Sequence, residues 1–181
     1  DDTTTGISSI GKTLMVFSGR SSAFTIQFQQ ITVSTTLAET IAVRKLPLGS
    51  GQGAFNQETI VQIGDTIIYL SNEPALRIVD DPLKLTGLDP KTLSNPIKPD
   101  FDAETWTNAF AFWYRNVFYL SAPTNSRLYM LNFIEDADGK LFRFWNPPQT
   151  LPTRAMSIID SGDGDLLHGH ASGRPETYLL F

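Results

Sequence analysis

The chain has 181 residues, a formal net charge of −5, 41% hydrophobic residues and 18% charged residues. That length suffices for one full-sized domain, while the absence of a Lys/Arg cluster argues against a phosphate-tracking surface and no apolar run reaches the length of a membrane-spanning helix. It contains no cysteine, which excludes a disulfide framework, thiol catalysis and cysteine-ligated zinc.

In chain order the first recognisable unit is Ile7–Phe28, reading ISSI-GK-TLMVFS-GRSSA-FTIQF. It has an apolar strand, a tight turn at Gly11-Lys12, a second apolar strand, a polar turn and a third strand. Residues 31–45 follow, rich in Thr and Val, and fit an outer strand; the best helix candidate of the chain, Thr36–Val43, overlaps them, but its β-branched content opposes it. Pro47–Asn56 (PLGSGQGAFN) is a Gly-rich connection. It has no Gly-Lys-Ser/Thr leading into a helix, so Gly49–Gly53 is not a phosphate loop.

The same pattern returns at Glu58–Val79, turning at Gly64-Asp65, at Phe110–Phe133, turning at Arg115-Asn116, and at Ala155–Phe181, turning at Ser161–Gly164. Middle strands begin at Leu14, Ile67, Val117 and Leu166, a period of about 50 residues, which for β units points to propeller blades. Middle strands without polar alternation suit sheets covered on both faces. In the third unit the Asp-Gly turn at Glu135–Gly139 leads to a fourth strand, Lys140–Trp145, ended by Pro147-Pro148. The expected fold is therefore all-β and β-propeller-like, with about four antiparallel blades at 7–45, 57–80, 107–146 and 153–181. Residues 80–102, with Pro82, Pro90, Pro96 and Pro99, read as an irregular insertion. The chain opens on Asp1 rather than Met, and Phe181 falls inside a strand-like run, so a piece of a larger propeller is expected.

Candidate chemistry is sparse. Asp160, Asp163, Asp165, His168 and His170 form the densest set of metal-ligand types, and His168 and His170 share a face if the segment is a strand. The opposing reading is a polar Gly-Asp turn at a strand end, without the regular oxygen spacing of a calcium loop. Glu135/Asp136 and Asp80/Asp81 are carboxylate pairs of the kind glycosidases use, yet both lie in turns, where Asp is favoured for backbone reasons. Ser18, Ser71 and Ser121 follow three middle strands at equivalent positions. A nucleophile occurs once, and no Gly-x-Ser-x-Gly elbow surrounds them. Trp113 and Tyr114 read as core; Trp106 and Trp145, near strand ends, are the better candidates for an exposed stacking surface, with core packing the favoured reading for them as well, since aromatics dominate β cores. No catalytic, cofactor-binding or metal residue is assigned, and the expectation is a protein that is not an enzyme.

Asn108–Leu120 (NAFAFWYRNVFYL), followed by a polar turn and Arg127–Phe133 (RLYMLNF), resembles propeller blades of bacteriophage tail proteins. Leu14–Gln27 and Asn56–Asn72, with a Gly-Asp-x-Ile-x-Tyr-Leu hairpin at Gly64–Leu70, are similar to the same class, and the likeness runs over Lys12–Phe181. The resemblance implies a tail nozzle, stabilisation or hub component located in the virion. Its implied partners are copies of itself in a ring, other virion tail proteins and a host-surface receptor, with no sequence-specific nucleic acid and no membrane span. It carries no catalytic residues. The alternatives are a glycan- or receptor-binding propeller, which requires Trp106 or Trp145 to be exposed, and an enzyme on a propeller scaffold using Asp165 or His168.

Overall fold

The structure is a computed structural model that describes the backbone of residues 3–10, 13–18, 23–33, 38–48, 53–80, 90–138, 141–151, 153–159, 165–170 and 177–179. Side chains are described for residues 3–10, 13–18, 53–80, 90–138, 142–151 and 153. The chain is all-β with antiparallel sheets, and it divides into two compact units, Asp1–Asn95 and Pro96–Phe181. Among the described residues no helix is long and apolar enough to cross a membrane.

The first unit holds two four-stranded meanders. One comprises β1 (Thr4–Ile10), β2 (Thr13–Ser18), β3 (Ala23–Val33) and β4 (Ala38–Leu48). The other comprises β5 (Ile60–Ile63), β6 (Thr66–Ser71), β7 (Ala75–Val79) and β8 (Lys91–Thr92). Of the ambiguous 31–45 stretch, residues 31–33 and 38–45 resolve as strand, because β4 pairs with β3 over eleven register positions, from Ala23↔Leu48 to Val33↔Ala38, while residues 34–37 lie outside the described residues. A continuous ladder of backbone hydrogen bonds outweighs the weak helical preference of Ala38-Glu39. The two sheets share a core of Ile10, Met15 and Phe17 against Ala54, Ile67, Tyr69 and Val79, with the Phe17 and Tyr69 ring centroids 4.7 Å apart. Every residue from Ile67 to Leu70 is fully buried, so β6 is covered on both faces. Each such aliphatic side chain contributes roughly 1.5–3 kcal/mol relative to exposure.

The second unit contains α1 (Lys98–Asp102), a five-stranded sheet and a three-stranded sheet. The larger sheet comprises β9 (Phe110–Tyr114), β10 (Val117–Ala122), β11 (Arg127–Glu135), β12 (Leu141–Trp145) and a short β13 (Gln149–Thr150) that pairs with β11. The smaller comprises β14 (Thr153–Ile159), β15 (Asp165–His170) and β16 (Thr177–Leu179). Tyr119, Leu128 and Met130 form a buried cluster backed by Phe112, Tyr114, Val117 and Leu151.

Each sequence repeat thus folds into its own antiparallel sheet, with the three strands in the expected order. A further regularity links the copies. The first strand faces the end of the middle strand at Thr4↔Ser18 and Thr153↔His170, with the register shifting just after that pair, and in the second sheet Ala54, ahead of β5, makes an isolated bridge to the equivalent Ser71. Hairpins close across two residues at Ile63↔Thr66 and Tyr114↔Val117. Gly64 takes φ = 56°, Arg115 44° and Asn116 62°. Positive φ at both central residues is the geometry of a type I′ turn, which suits the right-handed twist of the flanking strands but favours Gly at the second position. Asn116→Gly is therefore expected to stabilise the chain by about 0.5 kcal/mol, since relief of left-handed strain exceeds the added chain entropy. Chemical denaturation of the two proteins side by side measures it, and a lowered midpoint contradicts the turn assignment.

Within the segment 80–102, expected as an irregular insertion, only Asp80 and residues 90–102 are described. Residues 81–89 lie outside the described residues, but Lys91–Thr92 pair with Arg77–Ile78 and complete the second sheet. Arg77, 7% exposed, reinforces this edge: Nε donates to Ser71 Oγ at 3.2 Å, and Nη1 donates to Thr92 Oγ1 at 3.2 Å and the Pro90 carbonyl at 3.4 Å. Further on, Pro99 lies in the first turn of α1, where its missing N–H costs nothing, and the helix delivers Phe101 to the core of the second unit.

Candidate functional site

The most chemically equipped arrangement among the described side chains lies around Glu104. Glu104 follows α1, and its side chain is 2% exposed. Three groups from the turn after β10 and the start of β11 converge on it. Tyr129 donates its hydroxyl to Glu104 Oε1 at 2.6 Å, Asn125 Nδ2 donates to Oε2 at 2.6 Å, and Arg127 Nη1 lies 3.3 Å from Oε1. Arg127 also reaches Asp100 at 3.7 Å. Ser126, between Asn125 and Arg127, adopts φ = 54°, the left-handed cap that turns the chain back into β11.

An aromatic wall adjoins this polar group. Phe101, fully buried, lies 4.7 Å from Trp106, 5.3 Å from Tyr129 and 5.7 Å from Trp145 between ring centroids. The contacts are tilted or edge-on, the favoured aromatic geometries. Trp106 Nε1 donates to the Phe101 carbonyl at 3.2 Å, satisfying the one polar atom of a ring that is only 4% exposed.

Burial, followed by the hydrogen bond to Glu104, raises the Tyr129 hydroxyl well above its ordinary pKa of 10.0. Tyr129 is therefore a protonated donor at neutral pH, unsuited to act as a base or a phenolate nucleophile. Tyr119 is also raised, chiefly by burial and then by the neighbouring Tyr114. A folded-state pKa above the unfolded value stabilises the fold fully below the unfolded pKa, and the contribution is lost as pH rises through the folded one. Stability is thus expected to fall above about pH 10, with Tyr129→Phe flattening the fall. Denaturation midpoints collected from neutral to strongly alkaline pH test this; an unchanged alkaline slope in Tyr129→Phe contradicts it.

The arrangement neutralises and immobilises a buried carboxylate. Both Glu104 oxygens are engaged, so it is equipped to lock a loop onto a sheet. Glu104, Phe101 and Arg77 escaped the sequence reading because all three belong to, or hold, the Pro-rich stretch outside the repeat. A buried charge leaves no periodic signal.

The sequence candidates are dispersed. Trp106, a candidate for exposure for which core packing is the favoured reading, is buried because Phe101 and Tyr129 pack on it; Trp145 is half-buried at the edge of the same group. Trp113 is half-buried against Phe133, with centroids 5.1 Å apart, and the Tyr114 hydroxyl is buried. Ser71 donates within its own turn to the Glu73 and Ala75 carbonyls, and Ser121 donates to the Thr153 carbonyl, joining the two sheets of the second unit. Ser18 is 4% exposed, and its carbonyl accepts from Asn72 Nδ2 at 3.4 Å. Asp80 pairs with Lys91 at 3.3 Å, and Asp136 accepts from the Asp138 amide in the β11–β12 turn. Asp81, Asp160, Asp163 and residues 49–52 lie outside the described residues, as do the side chains of Asp165, His168 and His170, whose backbone forms β15. Among the described residues no group of three His, Asp or Glu is placed to hold a metal ion. No family model matches the chain and no curated protein matches it.

Proposed function

We propose that the chain is a non-enzymatic structural component of a bacteriophage virion, a β-propeller module of a tail nozzle or hub that helps to form or close the tail channel. The observation that carries this reading is the coincidence of two periods. Each sequence repeat of about 50 residues becomes one antiparallel meander, as a propeller blade requires. The three middle strands whose side chains are described, β2, β6 and β10, are buried on both faces, which suits sheets stacked face to face. Ser71, Ser121 and the buried Glu104 carboxylate are engaged in holding turns and loops, which fits a scaffold.

A net charge of −5 suits a wall that repels the phosphate backbone and lets DNA pass. The purified chain is expected to leave duplex DNA unretarded in a mobility assay at physiological salt, and strong retardation contradicts the conduit role. Mass spectrometry of purified tails is expected to find the chain at several copies per tail. Its presence only in the soluble fraction of infected cells overturns the virion reading. Burial of Trp106 leaves the glycan-binding alternative only the half-buried Trp145 as a stacking residue.

A further inference from the structure

The strands β3 and β4 outrun their sheet. β2 pairs with Ala23–Gln27, ending at Thr13↔Gln27, whereas β3 and β4 continue together from Phe28↔Val43 to Val33↔Ala38. Six residues on each strand form a two-stranded ribbon, which at about 3.4 Å per residue extends roughly 20 Å past the last β2 pair. Its sequences are FQQITV and AETIAV, with Glu39 the one charged residue. A two-stranded ribbon is marginal in water and persists when something covers it. Arg44 and Lys45 stand at its base, next to Val43.

The same chain carries a surface of matching character. On one face of the β11–β12 hairpin, Ile134 stands opposite Phe142, and Phe144 stands two residues farther along β12. They are 50%, 46% and 45% exposed. Large side chains this open, grouped on one strand pair, mark an interaction surface. The adjoining turn carries Glu135, Asp136 and Asp138, giving an apolar patch with an acidic end. A ribbon laid along the patch sets its basic base against that end, and opposite charges fix its direction.

We propose that the β3–β4 ribbon is an arm by which one copy of this chain grips the β11–β12 hairpin of the next, making a head-to-tail contact. Identical copies joined through two different surfaces close into a ring when the rotation allows it. The inference rests on the ring-forming reading above and names its interface.

The absence of cysteine makes a clean test possible. Thr40→Cys and Ile134→Cys are made in separate full-length chains, mixed and oxidised at equilibrium. A bound arm raises the local thiol concentration to the millimolar range, so the mixed disulfide is expected at roughly tenfold over either same-variant disulfide. Near-statistical mixing overturns the proposal. So does a dominant Thr40→Cys homodisulfide, which places ribbon on ribbon, or closure within one chain in the double variant. Far-UV circular dichroism and the thermal midpoint of each variant establish that it is folded. As an independent check, Phe144→Glu and Ile41→Glu are each expected to lower the sedimentation coefficient to that of a monomer, and a concentration-independent monomer in the unaltered chain overturns the arm. Mixed disulfides in a chain absent from tails sink the virion reading alone. A tail component giving only statistical disulfides sinks the arm alone.

Discussion

Phe101→Ala is expected to destabilise the chain by about 3–5 kcal/mol, the cost of truncating a fully buried aromatic side chain. The ring meets three other aromatic residues, Trp106, Tyr129 and Trp145, which belong to separate segments and cannot all follow it inward. The cavity also loosens Trp106, whose indole bonds the Phe101 carbonyl, and Tyr129, whose hydroxyl holds Glu104. Urea denaturation of the full chain measures the effect, with Ile7→Ala (52% exposed) as a control expected to change stability by less than about 1 kcal/mol. Equal effects at the two positions contradict a core closed by the α1 segment.

Gly53→Ala is expected to rank with it, at about 3 kcal/mol, the upper end of overpacking costs. A Cβ at this position falls 1.6 Å from the Ser18 carbonyl oxygen and 2.8 Å from its carbon. Both atoms are backbone and cannot rotate away. The same carbonyl accepts from Asn72, while the amide of Asn72 bonds the Gly53 carbonyl at 3.0 Å, so displacement breaks the seam between the two sheets of the first unit. Gly64→Ala, where nothing lies within 4 Å of the added atom, isolates the cost of φ = 56° alone and is expected to lose about 1 kcal/mol. Thermal denaturation that finds Gly53→Ala milder than Gly64→Ala contradicts the close approach.

The repeat was legible because three physical signals coincide in each copy: apolar strands, turn residues suited to tight hairpins and a constant spacing. Leu14, Ile67, Val117 and Leu166 lie in the four middle strands. The two-residue strand β8 and the five-residue helix α1 were illegible because neither is stable alone. Lys91–Thr92 form a strand through β7 and the Arg77 guanidinium, and Phe101 becomes core through rings up to 44 residues further along the chain. The candidate site was illegible for the same reason. Asp100, Glu104, Asn125, Arg127 and Tyr129 form no motif in one dimension and meet only when a Pro-rich loop folds over a sheet. The sequence leaves Trp106 between core and surface because its place near a strand end says nothing of the loop that packs over it.

The central claim is that repeated antiparallel sheets make this chain a ring-forming wall of a phage tail. Electron cryomicroscopy of the native particle that contains it tests this most directly. The predicted result is several copies arranged as a ring around the tail channel, each with its sheets disposed about a propeller axis. A lone copy with an open, ligand-filled pocket, on a particle without a tail, contradicts it.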